Sequence, residues 1–105
     1  MNYISIRTDR DIIREHLDHY LTPLKKSMRR NFRYEALRKK FAVYEIVDKM
    51  ETDDRPLFDV LQDMSKEYHG YAKIAPTPRQ VVLFTTTAGI IDDCIDVLRA
   101  KGEMI

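Results

Sequence analysis

The stretch LFDVLQDMSKEY at 57–68 constrains this chain more than any other part of its sequence. Leu57, Phe58, Val60, Leu61, Met64 and Tyr68 recur at helical spacing and form one wide apolar face. The segment METDDRP before it is charged, turn-forming and proline-terminated, and marks the clearest boundary in the chain. A helix is therefore expected from about 57, with Asp54 as its cap, Gly70 as its end, and YAKIAP beyond it as a loop.

The residues before that boundary also have helical character. Thr8 is placed to cap a helix whose first turn holds Asp9 and Asp11, with Ile12, Ile13, His16, Leu17, Tyr20 and Leu21 at helical spacing. Thr22-Pro23 ends it and suits the start of another helix. Apolar positions at Leu24, Met28 and Phe32 then shift to Tyr34, Leu37, Phe41, Tyr44 and Val47, as in one long helix with a drifting face or two helices meeting near Asn31. FAVYEIV also reads as a strand. Tyr3–Arg7 has the alternation of a short edge strand.

The segment TPRQVVLFTTTAGIIDDCIDVLRAKGEMI admits two readings. Val81, Val82, Leu83, Phe84 and three threonines have high β propensity, which makes 81–86 a strand that pairs with 3–7 in a small α/β domain. Against this, Thr77-Pro78-Arg79-Gln80 is a helix start: Thr at the N-cap, Pro at the first helical position and Gln placed for a capping box. The second reading places a helix from Pro78 to about Thr85, then another capped by Thr86 or Thr87, carrying Ile91, Ile95 and Leu98 and ended by Gly102. Three helices over 57–102 with a tight turn describe a helix-turn-helix unit.

On these residues the segment from Leu57 to Ile105 resembles the winged-helix DNA-binding domain of LexA-type repressors. The likeness rests on a first helix ending in EYHGY, a PTPRQ start to the second, and IIDDCIDVLRAKGEMI as a recognition helix running into a wing. The connection between the second and third helices is shorter than in that family and lacks its glycine, and the wing is truncated; a strand at 3–6 pairing with 103–105 would supply it. The resemblance implies a mainly α, winged-helix-like fold in which Gly89, Ile90 and Asp93 approach bases. Asp92, Asp93 and Asp96 oppose that use, because phosphates must be neutralised by Lys or Arg.

A length of 105 residues and 44% hydrophobic content fit one compact domain over 1–105, with a basic helical part at 1–50 and a winged-helix-like part at 55–105. Residues 1–50 carry 12 Lys+Arg against 7 Asp+Glu, and 51–105 carry 6 against 10. The basic charge concentrates in Lys25, Lys26, Arg29, Arg30, Arg33, Arg38, Lys39 and Lys40, with Glu35 the lone acid among them. Such a run suits phosphate contact, with Phe32 and Tyr34 available for stacking, and equally suits a solvated face packed against the acidic half. Arg79 would fix the second helix of the unit against the DNA backbone.

Enzyme chemistry finds little footing. His16 and His19 have a spacing able to hold a metal, but only His69 remains as a further histidine and no zinc pattern is complete. Cys94 sits among acids that raise a thiol pKa, so it reads as a core residue, and a lone cysteine gives no internal disulfide. The expectation is a cytoplasmic, non-catalytic DNA-binding transcriptional regulator with no cofactor, metal or membrane association. The alternative is a protein-interaction module or small inhibitor, with Asp92, Asp93 and Asp96 facing a basic partner and the basic helix assisting a homodimer.

Overall fold

The computed structural model describes residues 8–21 and 30–103, of which 30–33 and 102–103 are described by their backbone alone. Four helices follow in order: α1 (Asp9–Leu21), α2 (Arg30–Thr52), α3 (Leu57–Ile74) and α4 (Pro78–Glu103). The chain is mainly α. The edge strand expected at 3–7 and the wing strand at 103–105 lie largely outside the described residues.

Local sequence explains the starts of α1, α3 and α4. Thr8 and Asp11 exchange hydrogen bonds at the head of α1: the Asp11 amide donates to Thr8 Oγ1 at 3.2 Å and the Thr8 amide to Asp11 Oδ2 at 3.1 Å. Thr77 caps α4 in the same way, its Oγ1 accepting from the Gln80 amide at 3.3 Å. At α3 the expected cap Asp54 is replaced by Pro56, whose carbonyl accepts from the Asp59 and Val60 amides. Asp53 instead accepts from the amide and guanidinium of Arg55, which also reaches Asp63 at 2.7 Å and so ties the α2–α3 connection to the first turns of α3.

Three expected breaks are absent. Gly70 does not end α3, which continues through YAKI to Ile74; Pro76 ends it by forcing Ala75 into extended backbone. FAVYEIV is helical within α2. Most consequential, 81–86 is not a strand and no turn separates it from Thr87 and the residues beyond, since α4 runs unbroken for 26 residues, about 39 Å. Thr87 is fully buried and its Oγ1 donates to the Leu83 carbonyl at 2.9 Å, so it serves the interior of one helix instead of capping a second. The helix-turn-helix arrangement therefore does not form here. Gly102 likewise lies inside α4, which reaches Glu103.

The reason propensity loses is packing. Ala88, Ile91, Cys94, Ile95 and Leu98 share one face of α4 and are all buried, and this continuous stripe outweighs the β preference of the valines and threonines. The stripe meets Ile13 and Leu17 of α1, Ala42, Ile46 and Met50 of α2, and Leu57, Leu61 and Met64 of α3 in a single core. Each fully buried Leu or Ile contributes about 1.5–3 kcal/mol.

Side-chain contacts fix the directions. Lys101 of α4 meets Asp9 at the start of α1 at 2.6 Å, while Tyr20 at the end of α1 reaches Asp93. Arg99 lies 5.7 Å over the Phe58 ring, and Phe84 packs beside Tyr68 and Tyr71. Thus α1 and α3 run antiparallel to α4. Arg10 of α1 donates to the carbonyls of Met50 and Asp53 at the far end of α2, so α1 and α2 are antiparallel as well. The result is an up-down-up-down bundle, elongated to 53 × 32 × 25 Å.

Candidate functional site

The four helices do not cover one another equally. The C-terminal part of α4 packs along α1, whose described residues end at Leu21, with Lys101 on Asp9 and Tyr20 on Asp93. Leu83 lies about 15 Å further along α4, and around it the seam between α2 and α4 opens into a groove. Tyr34, Leu37 and Arg38 line one wall; Pro78, Arg79, Val82 and Leu83 line the other, around a volume of about 460 Å³.

Helical geometry makes this groove unavoidable. Four consecutive apolar residues span more of a helix circumference than one core can cover, so with Phe84 packed against the core, Val81 and Val82 remain 37% and 44% exposed. Opposite them, Tyr34 is 58% and Leu37 61% exposed, as the drift of the apolar face along α2 turns its first turns away from the core. Tyr71 and Ile74, at the end of α3, are exposed too, so large apolar side chains collect at this end of the bundle.

Two cations stand in that apolar surface. Arg79 lies 5.2 Å above the centre of the Tyr34 ring, a contact that joins the two walls. Arg38 Nε is buried and has no hydrogen-bond partner among the described residues. No carboxylate lines the groove among the described residues. Glu35, one turn away on α2, is engaged with Lys39 at 3.0 Å.

The residues expected to approach DNA are placed differently. Of the basic run, Lys25, Lys26 and Arg29 lie outside the described residues, and the side chains of Arg30 and Arg33 are not described. Lys40 is exposed. Arg38 and Arg79, from the two halves of the sequence, line opposite walls of the groove. Gly89 is exposed, but Ile90 is only 5% exposed and faces the core, so it cannot approach a base edge.

The acidic face is also largely spent on the fold. Asp93 Oδ2 accepts from the Tyr20 hydroxyl and from His16 Nε2, the latter at 2.6 Å. Asp92 accepts from Ser65 and from His69 Nε2, the latter at 2.8 Å. One aspartate thus clasps α1 and its neighbour clasps α3, leaving Asp96 as the exposed acid of the three, 4.0 Å from Arg99. The bonds from Tyr20 and His16 hold the Asp93 carboxyl below its ordinary pKa, and burial together with Asp93 raises that of the Tyr20 phenol. Burial, then the Asp93 charge, pushes the Cys94 thiol up to about 12, consistent with a core residue. Among the described residues no group of three or more His, Cys, Asp or Glu is arranged to hold a metal ion.

Sequence reasoning missed Leu37, Val82 and Leu83 as site residues. The available signal was the VVLF run itself, too wide an apolar arc for a helix with one buried face. Comparison with protein-family models, with curated proteins and with solved structures finds no match to this chain. Among the described residues no helix is long and apolar enough to cross a membrane.

Proposed function

We propose that this chain is a protein-interaction module that acts by binding, not catalysis, and takes a segment of a partner into the α2–α4 groove. The observation that carries the reading is the exposure of Tyr34, Leu37 and Val82 around the open groove between α2 and α4. Leaving that surface in water is unfavourable by about 25 cal/mol per Å², and covering it is the simplest source of affinity. A groove between two helices is also the setting in which an apolar helix face is recognised. This replaces the acidic face with a different surface, because Asp92 and Asp93 already have partners inside the bundle.

Nucleic-acid binding is the second reading. It is favoured by Arg38 and Arg79 lining the same groove as Tyr34, with exposed Lys40 on the same helix as Arg38. The LexA-like resemblance adds no geometry to it, since α4 is a single helix.

The two readings separate in one experiment. The full chain and its Val82→Glu variant are tested by anisotropy against labelled random duplex and single-stranded DNA at low and physiological salt, and by selection against a displayed library of random helical peptides. The interaction reading expects peptides whose binding is lost in Val82→Glu, with no steeply salt-dependent DNA binding. Salt-sensitive DNA binding that Val82→Glu leaves in place, without selected peptides, would replace it with the nucleic-acid reading.

A further inference from the structure

The chemistry of the groove says more about its occupant than apolar exposure alone. A guanidinium that lines an apolar groove and has no carboxylate partner favours an incoming one. Arg38 is in that position, on the wall formed with Leu37, and its Nε has no acceptor among the described residues. Arg79 already rests against the Tyr34 ring, which spends part of its side-chain freedom before a ligand arrives. Two cations with no lining carboxylate among the described residues give the groove a positive potential inside apolar walls.

We infer, building on the interaction reading above, that the occupant is an acidic amphipathic helix of a partner protein: its apolar side chains fill the groove beside Val82 and Leu37, and a carboxylate accepts from Arg38 and Arg79. Charge excludes the nearer alternatives. Residues 22–29 of this chain carry Lys25, Lys26 and Arg29 and no acid, and residues 1–7 carry Arg7 and no acid, so neither neutralises the groove. A second copy docked groove to groove would set two pairs of arginines against each other, a like-charge arrangement that opposes association. A nucleic acid is disfavoured because Arg79 already covers a face of Tyr34 on which a base would stack, and because the walls are apolar.

The test starts from helical peptides selected against the full chain and counterscreened on Val82→Glu. For each, the Glu and Asp residues are changed singly to Gln and Asn, and affinities are measured for the parent protein, Arg38→Gln and Arg79→Gln, with circular dichroism confirming the fold of each variant. The expected result is selected peptides with a carboxylate beside their apolar anchors, where one Glu→Gln change weakens binding at least tenfold in the parent and about twofold or less in Arg38→Gln. Peptides that need Val82 but bind equally with Glu or Gln would overturn the acidic partner and leave the groove reading standing. Failure to recover any Val82-dependent peptide would overturn both. Displacement of the peptides by a single-stranded oligonucleotide would mean that the cations recognise phosphate, which also overturns the inference.

Discussion

The two halves of α4 carry similar apolar content to opposite ends. From Thr87 to Leu98 the helix turns Ala88, Ile91, Cys94 and Ile95 into the core and uses Asp92 and Asp93 to hold α3 and α1. From Pro78 to Thr86 it leaves Val81 and Val82 partly in water and Arg79 on a neighbouring ring instead of a carboxylate. Asp92 and Asp93 of the first region thus find partners on other helices, whereas Arg79 of the second borders the groove. The packed region and the groove are thus centred about 16 Å apart along one helix.

The largest effect that would sharpen this contrast is a cavity in the first half. Ile91→Ala is expected to cost about 2–5 kcal/mol of unfolding free energy in urea, since Ile91 is completely buried. A cost under about 1 kcal/mol would mean that the core does not centre on this half.

Next in size is the aspartate clasp. Asp93→Asn removes the charged acceptor shared by Tyr20 and His16 and should cost about 1–2 kcal/mol near neutral pH, toward the lower end for hydrogen bonds to a charge because the carboxylate is 45% exposed. The folded carboxyl titrates below the ordinary value of 3.8. Its contribution is therefore complete above the ordinary carboxylate range and is lost as pH falls through the lowered folded value. Unfolding curves between about pH 5 and pH 3 should show the parent losing more stability than Asp93→Asn, and equal losses would remove the clasp from the account.

A smaller effect probes the join between the halves. A Cβ added at Gly89 meets nothing within 4 Å, so Gly89→Ala should raise stability by about 0.5–1 kcal/mol through helix propensity. A loss of stability would mean that the backbone at Gly89 is not helical. Arg79→Ala should change stability by no more than about 1 kcal/mol, the worth of an exposed cation–π contact, while altering the groove.

Much of the bundle was legible in the sequence because it follows local rules. The Thr8 and Thr77 starts, the Pro78 signal and the apolar face of 57–68 depend on residues close in the chain. The continuity of α4 was not legible in the same way: Val81 to Thr87 prefers strands, and only the buried stripe that includes Ile91 and Leu98, set against three other helices, overrides that preference. Gly70 misled for a related reason, since a glycine ends a helix only where the backbone must turn, and here Pro76 sets the end. The site was legible in part. Arg38 and Arg79 stand out as basic residues, but their placement on opposite walls of one groove, 41 positions apart in the chain, is a property of the packed bundle. The partners of Asp92 and Asp93, namely His16, Tyr20, Ser65 and His69, were not legible because they lie on other helices.

The division of α4 into a structural half and a binding half is tested most directly by the unfolding free energy of Val82→Glu, measured in urea beside the parent. A charge at a residue that serves only a partner should change it by no more than about 0.5 kcal/mol while groove-dependent peptide binding disappears. A loss of more than about 2 kcal/mol would show that Val82 belongs to the core, and the binding half would not exist as described.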